Sequence, residues 1–224
     1  MNQPALVVFD LAGTTVEDGG QVPAAFAAAL ATHGIAVTGA EIDRVRGASK
    51  RQAIREFIPQ GPDRDASAER VYDTFRQELA RRYVTGGVRA IAGADSVFRH
   101  LRAQGIKVAL TTGFDRETTV LLLSSLQWLE DTVDTVVCGD DVAHGRPAPD
   151  LIYRAMADTG VTDPALVATV GDTTLDLEAG ARAGVGWNIG VLSGAHRRDA
   201  LESAPHTHVI DSVAELLVRP LWGP

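Results

Sequence analysis

The stretch Ala5-Leu-Val-Val-Phe-Asp10-Leu-Ala-Gly-Thr-Thr15 decides how this chain folds. It begins with an apolar run rich in β-forming residues, which stops at a carboxylate that is followed by a glycine turn. This pattern predicts a buried strand that delivers Asp10 to the open edge of a sheet. In doubly wound α/β folds, ligands bind at this edge. We therefore expect Asp10 to belong to a ligand site.

The composition is typical of a globular α/β protein. The 224 residues are enough for one substantial domain with a smaller insertion, and 45% of them are hydrophobic. The net charge of −8 gives no electrostatic reason to expect nucleic acid or an anionic membrane surface as a partner. No apolar run approaches the roughly 18 residues of a membrane span, and the N-terminus has no basic segment before an apolar stretch. We expect a cytoplasmic protein.

Two scarce residue types are informative. The single Cys138 ends an apolar run and is expected to be buried, and no paired Cys or His pattern suggests zinc. Of 21 basic residues only Lys50 and Lys107 are lysines. Because a guanidinium cannot replace an amine in imine chemistry, Lys50 is a candidate for such a role. Lys107, at the start of a strand, shows that lysine also occurs where no special role is implied.

After Asp10, strand-like runs alternate with segments of helical periodicity. The predicted strands are 107–112, 135–139, 168–172, 187–192 and 208–210. The predicted helices between them are 94–104, 117–127, 149–159 and 175–183. This alternation predicts an α/β fold with a doubly wound parallel sheet and helices on both faces.

Residues 16–86 interrupt this alternation. Helical patterns at 23–33, 40–46, 50–58 and 66–83 follow one another there without a convincing strand. We predict a small helical cap domain at 16–86, inserted into a core domain formed by 1–15 and 87–224. The glycine pairs at 19–20 and 86–87 are candidate hinges.

Four segments of the predicted core deliver different functional groups toward one edge of the sheet. In chain order they present Asp10 with Gly13, Thr14 and Thr15; Thr111 and Thr112; Arg146; and Asp172 with Asp176. A phosphate-type anion needs such hydroxyl and backbone donors, one fixed cation and a divalent metal with hard oxygen ligands. Asp10 would then be the nucleophile and would share Mg²⁺ with Asp172. Asp176 would support that shell or hold Arg146.

Each of these residues also has a purely structural interpretation. Asp176 lies three residues after Thr173, as in a helix capping box. Arg146 could be an exposed loop charge, and Thr111 could satisfy backbone groups at a strand end. These readings are plausible one at a time, but together they would require four segments to imitate one site by chance.

The motifs resemble those of the haloacid dehalogenase superfamily. The corresponding residues are Asp10-x-x-Gly-Thr, Thr111, Arg146 and Gly171-Asp172-x-x-x-Asp176, with a helical cap inserted after the first motif. The resemblance implies a Rossmann-like core of that superfamily. In most of its phosphatases an Asp two residues after the nucleophile acts as general acid and base, which is typically worth about 10²–10⁴-fold in rate. This chain has Ala12 there, whose carbonyl can still bind Mg²⁺ but which cannot transfer a proton.

The sequence Asp-x-Ala-Gly-Thr-Thr-Val at 10–16 is similar to the first motif of the phosphonoacetaldehyde hydrolase (phosphonatase) family, which cleaves a carbon–phosphorus bond. In that family a cap lysine forms a Schiff base with the substrate aldehyde, and the protonated imine takes up the electrons of the broken bond. Gly47-Ala-Ser-Lys50 resembles the segment that carries this lysine. The segments 111–114, 144–147 and 171–173 also resemble the family.

The chain departs from the phosphonatase pattern at three positions. Arg46 replaces a Met, Ala53 replaces a His and Gly20 replaces a Cys. The overall pattern is therefore closest to the phosphonatase-like hydrolases, a sister group. By this resemblance, six residues are expected to bind the substrate or its phosphate: Gly13, Thr14, Arg46, Gly47, Thr112 and Gly113. Lys50 would form an imine or bind a substrate anion, and both roles stay open.

Three functions follow from these observations. The first is a Mg²⁺-dependent hydrolase that acts through an aspartyl-phosphate on a small phosphonate aldehyde or close analogue. The second is a phosphate monoesterase, and the third is a non-catalytic protein that binds a phosphate ligand. The small molecule is the expected partner in each case. The resemblance to phosphonatases also implies a possible cap-mediated homodimer, for which the alanine-rich segment 24–31 is the candidate contact.

Overall fold

A six-stranded parallel sheet forms the centre of the molecule, for which the computed structural model describes residues 3–128, 131–218 and 221–222. In chain order the strands are β1 (Leu6–Asp10), β2 (Lys107–Thr111), β3 (Thr135–Val137), β4 (Val167–Gly171), β5 (Trp187–Val191) and β6 (His208–Ile210). Their spatial order is β3-β2-β1-β4-β5-β6, and all neighbours pair in parallel. The predicted α/β fold class with a parallel sheet is confirmed. Because β1 is central, Asp10 lies in the middle of the carboxyl edge.

Helices account for about half of the remaining described chain. They are α1 (Gln21–Thr32), α2 (Gly39–Arg44), α3 (Lys50–Phe57), α4 (Arg64–Gly86), α5 (Ala94–Ala103), α6 (Arg116–Ser125), α7 (Asp150–Thr159), α8 (Thr174–Ala183) and α9 (Arg198–Ser203). Helix α9, which has only six residues, was not predicted from the sequence. The first four helices lie between β1 and α5. As predicted, residues 16–86 contain no strand, and only isolated bridges occur there, at Val16.

Six predicted boundaries are wrong by two or three residues, and local geometry explains three of them. The helix predicted at 40–46 ends at Arg44, because the chain turns at Gly47, whose φ of 84° is left-handed. Arg46 therefore lies in a loop. The strand predicted to Gly139 ends at Val137, after which Gly139 N donates to Phe114 O. Helix α4 runs through Gly86, so the chain leaves it at Gly87 (φ 73°) rather than at a glycine pair.

Helices α1, α3 and α4 meet at a cluster of aromatic side chains. The ring of Phe26 lies edge-to-face with Phe57 and Phe75, at centroid distances of 5.8 and 6.0 Å. Leu30 and Leu79 are completely buried beside them. These side chains are continuous with the apolar cluster that includes Phe9 and Phe98 of the sheet region.

Phe98 connects the sheet to the helices that cover it. Its ring centroid lies 5.4 Å from that of Phe9 and 5.1 Å from that of Trp128, both edge-to-face. We expect Phe98→Ala to lower the free energy of unfolding by about 3–5 kcal/mol, because it leaves a cavity in a closely packed region. Urea denaturation would measure this loss. Val120→Ala, at a side chain that is 53% exposed, is the control and should change the stability by less than about 0.5 kcal/mol. Equal losses in the two variants would contradict the prediction.

Cys138 is buried, as expected from its apolar run, and burial raises the pKa of its thiol to about 11. A thiol of this kind is poorly suited to act as a nucleophile. Among the described residues, no helix combines the length and the apolar character that crossing a bilayer requires.

Candidate active site

Asp10 is the last residue of β1 and only 6% of its surface is exposed. Its Oδ1 accepts a hydrogen bond from Nη1 of Arg146 at 2.5 Å. Burial raises the pKa of Asp10 to about 6, although the Arg146 charge acts in the opposite direction. The carboxylate is thus held at a fixed place and is poorly solvated, which leaves it available to an electrophile.

Arg146 joins three of the predicted motifs. Besides Asp10, its Nη2 donates to Thr111 Oγ1 at 2.8 Å, and its Nε pairs with Asp176 Oδ1 at 2.9 Å. The guanidinium is 6% exposed. Such a buried arginine needs several fixed acceptors, because burial of a charge without partners is costly. Asp10 and Thr111 end strands β1 and β2, and Asp176 lies in the first turn of α8, the helix that follows β4.

Asp172 follows β4 and is 2% exposed. Its Oδ2 accepts from the backbone N–H of Ala195 at 2.6 Å, and Thr14 Oγ1 donates to Oδ1 at 3.4 Å. Gly13 and Gly194 leave room for this carboxylate, since a Cβ on either would lie only 2.3 or 2.0 Å from Oδ2. Burial, followed by the negative charges of Asp10 and Asp176, raises the pKa of Asp172 well above its usual range.

This donor set fits a magnesium ion. Asp10, Asp172 and Ala12 line the same cavity, and two carboxylates with a backbone carbonyl are the hard oxygen ligands that Mg²⁺ prefers. After burial, the negative charge of Asp10 contributes most to the raised pKa of Asp172, and a divalent cation between the two carboxylates would offset that repulsion. The residues present therefore satisfy both the chemistry and the charge that such an ion requires.

Lys50 enters the cavity from the helical insertion, as the first residue of α3. Its Nζ donates to Ala48 O at 3.1 Å and lies 5.5 Å from the ring centroid of Phe114. Burial lowers the pKa of Lys50, an effect that the Asp10 carboxylate opposes. A lowered pKa increases the fraction of neutral amine, which is the form that attacks a carbonyl group.

Arg46 and Gly47 form the edge of the insertion at the cavity. Arg46 Nη2 pairs with Asp18 Oδ2 at 3.1 Å, and both side chains are partly exposed. Gly47 passes close to the core, since an added Cβ would lie 2.4 Å from Thr173 Oγ1. The cavity that these residues line together with Asp10 and Lys50 contains about 440 Å³ of space not filled by atoms, and part of this space is open to solvent.

Comparison of the sequence with known protein families shows which family the chain belongs to. A model of the haloacid dehalogenase-like hydrolase family matches residues 7–189. The chain belongs to this family. It is 31% identical to a phosphonoacetaldehyde hydrolase from Paraburkholderia xenovorans, in an alignment that covers 97% of this chain and 94% of that protein.

Solved structures support the same assignment for this hydrolase. A hydrolase from Pseudomonas syringae superposes with a TM-score of 0.87 at 26% identity, covering 97% of this chain and 98% of that one. A phosphonoacetaldehyde hydrolase-like protein from Oleispira antarctica gives a TM-score of 0.83 at 27% identity, with 97% and 91% covered. The resemblance predicted from the motifs is thus confirmed, and the protein is a hydrolase related to phosphonatases.

The structure divides the predicted site residues of the hydrolase into two groups. Those that line the cavity are Asp10, Ala12, Arg46, Gly47, Lys50, Thr112, Gly113, Arg146 and Asp172. The others, Gly13, Thr14, Thr111 and Asp176, contact Asp172 or Arg146 from behind. Members of the first group can touch a ligand directly, whereas members of the second fix the groups that do.

Five cavity residues were not predicted as site residues from the sequence: Asp18, Val22, Phe114, Thr173 and Ala195. Asp18 holds Arg46, Phe114 lies beneath the Lys50 amine, and Ala195 donates its N–H to Asp172. Phe114 could have been found, because it directly follows Gly113 in a segment that resembles phosphonatases. Ala195 could not, because it contributes a backbone group from a distant loop.

Proposed function

We propose that this hydrolase is a magnesium-dependent, phosphonatase-like enzyme that acts on a small organophosphorus substrate through an aspartyl-phosphate at Asp10. The observation that carries the proposal is that Asp10 and Lys50 line one cavity, a carboxylate from the sheet and an amine of lowered pKa from the insertion. Ala12 lies in the same cavity, two residues after Asp10, where a phosphatase would need an acid.

Lys50 would begin the reaction by attacking the aldehyde carbon of a phosphonate aldehyde, which releases water and forms a protonated imine. Asp10 would then attack phosphorus as the carbon–phosphorus bond breaks. The electron pair of that bond moves into the imine and gives an enamine, so no acid is needed beside the phosphorus. Protonation and hydrolysis of the enamine release the aldehyde and restore the Lys50 amine.

Asp10 would be restored by water, which attacks the aspartyl-phosphate and releases inorganic phosphate. Arg146 would keep the Asp10 carboxylate aimed at phosphorus, and the Thr111 hydroxyl, which accepts from Arg146, would hold the guanidinium in place. Asp10, Asp172 and the carbonyl of Ala12 would hold Mg²⁺, which supplies positive charge beside the transferred phosphoryl group.

The insertion at 16–86 would act as a cap domain that shields this chemistry from bulk water. Its two connections to the core run side by side: Glu17 N donates to Arg89 O at 2.9 Å, and Ile91 N donates to Thr15 O at 2.9 Å. Adjacent connections of this kind allow a domain to rotate without disturbing the sheet. Gly20 and Gly87, with φ of 77° and 73°, are the natural places for that rotation.

The proposal is tested by a screen of phosphonates beside phosphate esters, each with Mg²⁺ and with a chelator. We expect phosphonoacetaldehyde or a close analogue to give inorganic phosphate, and we expect the chelator to abolish turnover because two repelling carboxylates then lack their counter-ion. Phosphate release measured by a colorimetric assay gives the rates. Faster turnover of a phosphate ester would indicate a monoesterase, and binding without turnover of any compound would indicate a non-catalytic protein.

A further inference from the structure

Asp115 uses its two carboxylate oxygens for different purposes. It is the N-cap of α6, where Oδ1 accepts from Thr118 N at 2.8 Å. Its Oδ2 accepts from the hydroxyl of Tyr72 at 2.7 Å and lies 2.9 Å from Nε of Arg76. An N-cap needs only one oxygen. The second oxygen therefore serves the contact with α4, the long helix of the insertion.

This contact is well shielded from water. Asp115 is 8% exposed and Tyr72 is 3% exposed. Arg76 also pairs with Glu117, and Arg51 covers the outer face of the Tyr72 ring, with its Cζ 4.6 Å from the ring centroid. Burial would raise the pKa of Asp115, but the hydrogen bonds from Thr118 and Tyr72 and the Arg76 charge lower it overall. Asp115 is thus ionised and fully partnered between two parts of the chain.

The same short segment reaches Lys50 at its other end. Gly113 O accepts from the backbone N–H of Lys50 at 3.2 Å, and the Phe114 ring lies beneath the Lys50 amine. Thr111, two residues earlier, binds Arg146, which holds Asp10. Residues 111–115 therefore connect the proposed nucleophile, the proposed imine-forming lysine and helix α4 in one continuous piece of chain.

We propose that Asp115 is a positioning residue which, through Tyr72 and Arg76, fixes the insertion on the core so that Lys50 stays opposite Asp10. The inference rests on the proposed function only for the role of Lys50. Its physical basis is that the Tyr72 and Arg76 contacts and the Gly113 contact lie on the same rigid segment. Loss of the Tyr72 and Arg76 contacts with Asp115 should weaken the hydrogen bond from Lys50 N to Gly113 O, because the insertion would move as a unit on its two connections.

Hydrogen exchange at the backbone N–H of Lys50 reports whether the insertion is fixed on the core. Lys50 is the first residue of α3, and N–H groups in the first turn of a helix have no partner within the helix. Protection of this amide from hydrogen exchange therefore depends on Gly113 O in the core. We expect Tyr72→Phe, which removes only the hydroxyl, to accelerate its exchange by about 10- to 100-fold, as for one lost hydrogen bond to a charged group.

Exchange would be followed by NMR on ¹⁵N-labelled protein. Asp115→Asn, which can still cap α6, should accelerate Lys50 exchange as well. Glu117→Gln is the matched control, because it removes a partner of Arg76 that is 81% exposed and leaves Asp115 intact. The amide of Val8, in the centre of β1, should exchange as in the parent in all three variants. Unchanged Lys50 exchange in both Tyr72→Phe and Asp115→Asn, or equal acceleration at Val8, would overturn the proposal.

A kinetic comparison separates positioning from general stability. Acetyl phosphate has a good leaving group and needs no amine, so Tyr72→Phe should hydrolyse it like the parent. The kcat/KM for phosphonoacetaldehyde should fall relative to acetyl phosphate, whereas a parallel loss for both compounds would contradict the positioning role. If the parent hydrolyses neither compound, the proposed function fails, and the exchange measurement still decides whether Asp115 fixes the insertion.

Discussion

Asp10→Asn is expected to abolish turnover of every substrate, with kcat lower by about 10⁴-fold or more, as when a catalytic nucleophile is removed. An amide oxygen can still accept from Nη1 of Arg146, so the geometry of the site should persist. An amide is a far weaker nucleophile toward phosphorus than a carboxylate, so the chemistry should not. Phosphate release with Mg²⁺ present would measure the loss.

The stability of the same variant is the control for this interpretation. The folded-state pKa of Asp10 is about 6, above its usual 3.8, so without metal its contribution to stability falls as pH rises from about 4 to about 6. Asparagine lacks this ionisation. We therefore expect Asp10→Asn to melt at the same or a higher temperature than the parent at pH 7 in a chelator. A variant that is inactive and also unstable would indicate that Asp10 has a structural role.

Most of the fold could be predicted from local sequence patterns. Strands β1, β2 and β4 are apolar runs that end at or directly before a polar residue, and parallel strands bring their carboxyl ends to one edge. For this reason Asp10, Thr111 and Asp172, which are far apart in sequence, could be expected at one site. Asp10 and Thr111 are joined through Arg146, which lies in a loop and could be placed only by its resemblance to a family motif.

Asp176 illustrates why a single pattern was not decisive. Its position three residues after Thr173 suggested a capping box, and its place in the motif suggested a partner for Arg146. The structure has both: Oδ2 accepts from Thr173 N at 3.1 Å, while Oδ1 pairs with Arg146 Nε at 2.9 Å. A carboxylate has two oxygens, so a structural and a functional interpretation of one acid can both be correct.

The contacts between the insertion and the core could not be predicted. Tyr72 and Asp115 are 43 positions apart, and each fits a local pattern: Tyr72 belongs to the apolar face of a helix, and Asp115 precedes another helix. Neither local pattern indicates that the Tyr72 hydroxyl binds the Asp115 carboxylate. The Ala195 N–H that binds Asp172 is a backbone group, so it leaves no trace in the sequence. Such long-range contacts depend on how completed elements meet.

Lys50→Arg decides between the two roles that Lys50 could have. Arginine keeps the positive charge and can bind an anion, but a guanidinium cannot form an imine. If Lys50 forms an imine, the kcat/KM for phosphonoacetaldehyde should fall by about 10³-fold or more, as when a group that takes part in the chemistry is removed. Hydrolysis of acetyl phosphate, which needs only the Asp10 side of the site, should change little.

Chemical trapping gives an independent measurement of the same step. Borohydride added during turnover of phosphonoacetaldehyde should reduce the imine and add a stable mass to the peptide that contains Lys50, and Lys50→Arg should gain none. Because burial lowers the pKa of Lys50, trapping should become faster as pH rises through that lowered value, where the neutral amine accumulates. Full activity of Lys50→Arg, together with turnover by the parent that leaves no trapped adduct, would show that Lys50 only binds an anion, and the electrons of the broken bond would then need another acceptor in the cavity.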